Sequence, residues 1–299
     1  MASGEGARPR LRWWQRWWVQ APLAYGFYEG FEWARSQVEG SRRDAIVNAH
    51  QVIHAEKVLH LFREARVEHW VLPCAPLCQV ATTADLERNA IRFWNVYYGF
   101  MHFAVPALVL IFLFWKFPER YRLWRNTAGA MLLLSLLGFW LYPVLPPRLL
   151  ATHYGFFDAA KYGGFGAIGK AEAGPLANAY AAMPSLHIGW SSWCAFALAP
   201  VLRHRWSKAL IIAYPFATLF AVVVTANHYI LDGAGGLGGL ALAYGVARLV
   251  TRAQAEDGPS ISDRARSGAA AGAGDPRPDR AGVGGGQAGP RSARRDPGS

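Results

Sequence analysis

The sequence predicts an all-α integral membrane protein: a helical bundle of about six transmembrane helices with an amphipathic interfacial helix. The chain is 53% hydrophobic and 14% aromatic, and the segments 96–115 and 127–147 contain no Lys, Arg, Asp or Glu. Runs of about 20 uncharged, mostly apolar residues match the thickness of a bilayer and are rare in soluble domains. Runs of this length in lipid are helices, because a helix satisfies its backbone polar groups internally.

The first element is predicted at residues 17–34, after a polar and basic segment at 1–12 that has the composition of a disordered terminus. Tryptophans typical of a membrane–water interface lie at its start, at Trp13, Trp14, Trp17 and Trp18. Glu29 and Glu32 are costly at depth in a bilayer. The segment could span the membrane or lie along it, and of these two we expect it to span.

The second element is an amphipathic helix predicted over residues 42–70. Apolar residues recur there at helical spacing and charged residues fill the other face, so the helix is expected at the interface or over the bundle. The apolar set is Ile46, Val47, Val52, Ile53, Val58, Leu59, Leu61 and Phe62. The helix also contains three histidines, which are predicted to lie on its polar surface: His50, His54 and His60.

Five further spans are predicted at about 96–115, 127–146, 185–202, 208–226 and 231–249. After residue 250 the composition changes to Gly, Ala, Pro, Ser, Arg and Asp. Such a tail cannot bury enough apolar surface to offset its ordering entropy, so disorder is expected over 251–299. The organisation predicted is a terminus at 1–12, transmembrane and interfacial helices at 13–95, the main membrane domain at 96–250 and the tail.

The net charge of +11 lies mainly at the edges of the apolar runs and in the ends of the chain. Nucleic-acid-binding proteins cluster their cations on one face, so this placement argues against a nucleic-acid partner. The basic loops at 116–125 and 203–208 predict a cytoplasmic side. Segments 35–95 and 148–184 then face the opposite side of the cell membrane, where Cys74 and Cys78 could pair in an oxidising compartment.

Three polar patches lie at span ends on that extracytoplasmic side, at 142–149, 181–190 and 225–232. Spans alternate in direction. The end of one span, the start of the next and the junction of the last two therefore share a face. We expect the side chains of Arg148, His187, His228 and Asp232 to converge there in one cleft.

The residue types in this cleft suit phosphoryl transfer on a lipid in the membrane. His228 and Asp232 are four residues apart, so a helix would stack them on one face and the carboxylate would activate the imidazole. His187, from another helix, could act as a general acid. Ser185 adds a hydroxyl at a helix N-terminus, which attracts phosphate, and Arg148 offers a planar fork for phosphate oxygens.

The sequence P-S-L-H at 184–187 and the pattern H-x-x-x-D at 228–232 resemble two signature motifs of the type-2 phosphatidic acid phosphatase superfamily. The surrounding residues resemble more closely a branch that includes inositol phosphorylceramide synthases. This resemblance, over about residues 90–250, implies that the catalytic residues lie in the 96–250 domain. It implies that His228 forms a phosphohistidine, Asp232 orients it and His187 protonates the leaving alkoxide. It also implies phosphate binding by Arg148 and Ser185, without a metal or other cofactor.

The chain departs from the phosphatase-type motifs at four positions. These are Leu186 for a Gly, Leu141 for a Lys, Leu149 for a Pro and Val222 for an Arg. Two expected cations are therefore absent, and Arg88, Arg92 and His102 are candidates to replace them. The losses favour the phosphotransferase-like branch.

Other interpretations of the same residues remain open. A membrane metal hydrolase would use His187, His228 and Asp232 as ligands, and a non-enzymatic transporter or haem carrier would use the paired histidines. Tyr142, Asn227 and His102 are further candidates for substrate binding.

The letters G-x-G-x-x-G at 233–238 match a dinucleotide-binding fingerprint. We reject that interpretation, because the segment continues into an apolar span and lacks the later acidic residue that ribose binding needs. Gly235 and Gly239 instead predict close helix packing through two small residues four positions apart.

Overall fold

The computed structural model describes residues 16–38, 40–71, 81–150, 154–156, 158–159 and 178–256. Within these ranges the chain is all-helical, with eight α-helices and no strand. The predicted terminus at 1–12, the cysteines Cys74 and Cys78 and the tail beyond residue 256 lie outside the described residues.

The helices have the following bounds: α1 Trp17–Gln37, α2 Arg42–Val58, α3 Glu64–Val71, α4 Ala81–Lys116, α5 Pro118–Leu141, α6 Leu186–Leu198, α7 Arg205–Val224 and α8 Ile230–Glu256. Three segments of these helices are long and apolar enough to cross a membrane, namely Arg88–Lys116, Arg205–Val224 and Ile230–Ala253. They indicate a membrane protein.

Two of the predicted spans look different in the structure. α6 has only 13 residues, so it is about 20 Å long, shorter than the hydrocarbon core of a bilayer. The helix that covers the predicted 127–146 span begins earlier, at Pro118, and ends at Leu141. Its first two turns carry Glu119 and several arginines, which lowers the hydropathy of the helix.

The prediction of one helix over 42–70 is wrong, because α2 stops at Val58 and α3 starts at Glu64. His60 adopts a left-handed φ of 56°, and the N–H of Leu61 donates to Glu56 O at 2.7 Å. This pattern is a Schellman motif, in which glycine is the usual left-handed residue. The sequence carried no glycine to signal the stop.

The buried face of α2 also differs from the predicted one. It consists of Ala45, Ala49, Val52, Ile53 and Glu56, whereas Val58 and Leu59 are exposed. The prediction that His50, His54 and His60 are surface residues is confirmed.

The bundle core lies between α4, α5, α6 and α8. Trp193 of α6 is completely buried there, and its indole N–H donates to the carbonyl oxygen of Trp124 at 3.0 Å. A second core joins α2 to the segment after α5 and to the start of α8, through Ile53, Val144 and Tyr229. The second core fixes the α7–α8 junction against the N-terminal helices.

Among the glycines of α8, Gly236 lies closest to the start of α6. A Cβ atom at Gly236 would overlap the carbonyl oxygen of Ser185, and Ser185 N donates to Asp232 O at 3.0 Å. Of the predicted packing pair Gly235 and Gly239, only Gly235 is closely packed. A Cβ at Gly235 would lie 3.2 Å from Met183, whereas nothing lies within 4 Å of one at Gly239.

Candidate active site

His228 lies in the reversal between α7 and α8. Ala226 has a left-handed φ of 50°, and the N–H groups of Ala226 and Asn227 donate to Val223 O and Val222 O at 2.9 and 3.0 Å. This second Schellman motif ends α7 and turns the chain back. His228 therefore precedes the first residue of α8, and the predicted stacking of His228 and Asp232 on one helical face is wrong.

The side chains of His228 and Asp232 meet all the same. Nδ1 of His228 lies 2.8 Å from Ala182 O and 3.3 Å from Asp232 Oδ2, and the aspartate is fully buried. A carbonyl oxygen can only accept a hydrogen bond, so the Nδ1 atom carries the proton in this arrangement. In the neutral ring, Nε2 then holds the free lone pair.

His187 is the second residue of α6 and faces His228 across the bundle. The two ring centroids are 5.4 Å apart. The His187 ring stacks on Tyr98 of α4 at 4.0 Å and an interplanar angle of 18°, with His102 at 4.4 Å. Its Nε2 atom is buried and has no hydrogen-bond partner among the residues that the structure describes.

Ser185 directly precedes α6 in an extended conformation, which is the N-cap position. Its side chain makes no capping hydrogen bond, and its buried Oγ has no partner within the described ranges. The first backbone N–H groups of a helix also lack intrahelical acceptors. The start of α6 therefore combines the hydroxyl group of Ser185 with backbone N–H donors, and this arrangement is suited to binding an anion.

Arg148 is anchored to the same turn as His228. Its Nε donates to Asn227 Oδ1 at 2.9 Å, and its backbone N–H donates to Ala226 O at 2.9 Å. The Asn227 side chain also donates to Thr225 Oγ1 at 2.8 Å. Asn227, predicted as a substrate contact, thus links the guanidinium to the α7–α8 turn.

The remaining predicted residues lie further from the two histidines or at the surface. The Tyr142 hydroxyl donates to Gln51 Oε1 of α2 at 2.9 Å. Tyr142 also lines a groove of about 460 Å³ between α1, α2 and the end of α5, and neither His187 nor His228 lines it. Arg88 and Arg92 are exposed on α4.

Arg35 of α1 is a cation near the histidines that the sequence interpretation missed. Its Nη2 lies 2.7 Å from Glu32 Oε2, and its carbonyl oxygen accepts from Asn178 Nδ2 at 3.1 Å. Its charge is close enough to act on the side chains of His102 and His187. An arginine at the end of a predicted span is an ordinary interface residue by sequence, so no local pattern distinguishes it.

The comparison with family models gives a match over residues 50–246, to a model described as the PAP2 superfamily. The match covers about two thirds of the chain. The chain belongs to the PAP2 superfamily. No curated protein and no solved structure matched the chain.

Members of the PAP2 superfamily are generally phosphatases, so membership supports the prediction that this protein is an enzyme. It also agrees with the phosphatase or phosphotransferase chemistry expected from the sequence. The matched range begins in α2 and ends in α8. In the described part of this PAP2 superfamily chain, no group of three or more His, Cys, Asp or Glu side chains is arranged to hold a metal ion.

Proposed function

We propose that this PAP2 superfamily protein is a membrane phosphatase or phosphotransferase that acts on a lipid phosphate or phospholipid headgroup through a phosphohistidine. The observation that carries the proposal is the fixed tautomer of His228. Two acceptors face its Nδ1 atom, at 2.8 and 3.3 Å, so Nε2 is available as a nucleophile.

In the proposed reaction, Nε2 of His228 attacks phosphorus and the P–O bond to the leaving alcohol breaks. His187 donates a proton to the departing alkoxide. In the second half, water or another alcohol attacks the phosphohistidine while His187 takes its proton, and the P–N bond breaks. The products are inorganic phosphate after hydrolysis of a monoester, or a new phosphodiester after headgroup transfer.

Phosphate binding would rest on Ser185, Arg148 and the first N–H groups of α6. The 2.9 Å hydrogen bond from Arg148 Nε to Asn227 fixes the guanidinium, whose Nη groups would face phosphate oxygens. One of them, Nη1, also lies 4.0 Å from Asp158 Oδ1. We add Arg35 as the second cation, in place of the absent motif Lys and Arg. Its buried Nε atom has no hydrogen-bond partner in the described ranges.

We further propose that the protein belongs to the inositolphosphotransferase-like branch, since Leu141 and Val222 replace the cations of the phosphatase-type motifs. In the proposed topology six segments cross the membrane, namely α1, α4, α5, α6 together with the turn that continues it to Leu202, α7 and α8. α2 lies at the interface. The active site is extracytoplasmic, because the basic α4–α5 and α6–α7 junctions favour the cytoplasm.

The test uses the full-length protein with labelled phosphatidic acid, and with labelled phosphatidylinositol in the presence of ceramide. We expect phosphate release or headgroup transfer in the wild type, together with a phosphohistidine that is trapped by an alkaline quench, because the P–N bond is hydrolysed in acid. His228→Ala should abolish both, whereas His54→Ala, which removes an exposed histidine of α2, should behave as the wild type. Turnover that survives in His228→Ala would exclude the mechanism.

Two further measurements separate the alternatives. Activity that is undiminished by EDTA excludes the metal hydrolase, in which His187, His228 and Asp232 would be ligands. A Soret band in the purified protein, without His228-dependent turnover on any of these lipids, would favour a haem carrier over the enzyme.

A further inference from the structure

The start of α8 is capped by carboxyl groups from three segments of the chain. Three consecutive backbone N–H groups donate to them: Tyr229 to Asp232 Oδ2 at 2.9 Å, Ile230 to Glu64 Oε1 at 3.0 Å and Leu231 to Glu56 Oε1 at 2.7 Å. Asp232 belongs to the first turn of α8 itself. Glu56 belongs to α2, and Glu64 is the first residue of α3.

This arrangement replaces an ordinary helix cap. The first N–H groups of a helix usually bond to a short Ser, Thr, Asp or Asn side chain or to water. Tyr229, which precedes α8, has no such side chain, and its hydroxyl donates to Leu145 O at 3.0 Å. Asp232 supplies the acidic half of a capping box, and the two glutamates supply the other acceptors.

The glutamates of this cap are deeply buried. Glu56 and Glu64 are 0% and 1% exposed, and burial of an unpaired carboxyl group is strongly unfavourable. Burial, and then the neighbouring Glu64, raise the pKa of Glu56 to about 9. A neutral carboxyl keeps its carbonyl oxygen, so Glu56 accepts the Leu231 N–H in either protonation state.

We propose that Glu56 and Glu64 are positioning residues of the active site, which hold the first turn of α8 and so fix Asp232 against His228. The inference rests on the proposed function, in which His228 is the nucleophile. Asp232 directly follows the two capped residues in the chain, and its Oδ2 lies 3.3 Å from the His228 ring. Without the distant acceptors the first turn frays, and the carboxylate loses its fixed place.

The kinetic test compares Glu56→Ala and Glu64→Ala with the Gln variants of both residues. The Ala variants should form phosphohistidine about 10- to 100-fold more slowly per active site at saturating substrate, because a small misplacement is enough for such a loss. The Gln variants should retain most of the rate, since the amide oxygen accepts the same N–H. Glu119→Ala removes an exposed glutamate of α5 and should match the wild type.

The time course of phosphohistidine formation separates a positioning role from a folding role. The amplitude of its initial burst gives the number of folded active sites, and the rate of the burst gives the speed of the reaction in each of those sites. A lower amplitude with an unchanged rate in the Ala variants would mean a structural role and would overturn the inference. Gln variants as slow as the Ala variants would overturn it too.

Hydrogen–deuterium exchange tests the cap without catalysis. The amides of Ile230 and Leu231 should exchange faster in Glu64→Ala and Glu56→Ala than in the Gln variants. Unchanged exchange overturns the positioning role, even if the wild type is active. If the wild type forms no phosphohistidine, the proposed function fails whatever the exchange of these amides.

Discussion

The Nδ1 atom of His228 lies closer to the backbone oxygen of Ala182, at 2.8 Å, than to Oδ2 of Asp232, at 3.3 Å. A backbone acceptor remains in place when side chains are replaced. The tautomer of His228 is therefore held by two independent groups, and the carboxylate is only one of them.

Asp232→Asn should consequently be less damaging than His228→Ala. We expect phosphohistidine formation to slow by about 100- to 1,000-fold, less than the roughly 10⁴-fold loss seen where a carboxylate alone sets the tautomer. Rapid-quench labelling measures the rate. An Asp232→Asn variant as inactive as His228→Ala would show that the carboxylate does more than orient the ring.

Gly236→Ala should strongly disturb the junction of α6 and α8. The added methyl group would overlap the carbonyl oxygen of Ser185, and overpacking of this kind costs about 1–3 kcal/mol or more. Thermal unfolding in detergent and the activity assay should both report the loss.

Gly238→Ala is the matched control in the same helix. Nothing lies within 4 Å of a Cβ atom at Gly238, so alanine should be neutral or stabilise the helix by up to about 1 kcal/mol. Equal stability of the Gly236→Ala and Gly238→Ala variants would contradict the close packing of α8 against Ser185.

The two left-handed residues should respond differently to glycine. His60 is exposed, so His60→Gly should stabilise the protein by about 1 kcal/mol through relief of the left-handed conformation. Ala226 is fully buried, and loss of its methyl group, about 0.8 kcal/mol, should cancel most of the gain. Unfolding midpoints test this, and a lower midpoint for His60→Gly than for the wild type would refute it.

Glu56 predicts a defined pH dependence of stability. Its pKa is raised from 4.5 to about 9 in the folded state, first by burial and then by Glu64. Between these two values the folded protein binds more protons at this site than the unfolded chain, so stability falls as pH rises through that window.

Glu56→Gln removes this titration, so the midpoint of the wild type relative to that of the variant should decrease from pH 5 to pH 9. Glu64 and Asp232 act on the same group and are present in both proteins. A constant difference between the two midpoints across this range would mean that Glu56 is ionised in the folded state at neutral pH.

Arg35→Ala should weaken substrate binding if Arg35 is the second phosphate cation. Loss of one charge-assisted hydrogen bond corresponds to about 1.5–3 kcal/mol, or roughly a 10- to 100-fold lower kcat/KM. Arg43→Ala removes an exposed arginine of α2 and should have little effect. If the two variants have the same kcat/KM, the second cation is elsewhere.

Sequence patterns predicted the long apolar elements best. α4, α7 and α8 correspond to predicted spans, because each is a continuous apolar run with charges at its ends. Alternation of span direction also predicted that His187 and His228 share a face, and their ring centroids lie 5.4 Å apart. Neither inference needs any knowledge of side-chain packing.

The features that sequence patterns missed depend on contacts between distant segments or on backbone turns without glycine. His60 and Ala226 occupy left-handed positions that normally call for glycine, so the break after α2 was not signalled. Glu56 and Glu64 resemble ordinary charged residues of an amphipathic helix. Their partners lie 175 and 166 residues away, beyond any local periodicity.

The same separation has a consequence for biosynthesis. α2 and α3 leave the ribosome long before α8, so Glu56 and Glu64 meet the N–H groups of Leu231 and Ile230 only when the start of α8 has been made. Contacts of such high sequence separation form late. The cap at the start of α8 therefore forms late in assembly, and a chain that stops before residue 230 leaves Glu56 and Glu64 without these two N–H partners.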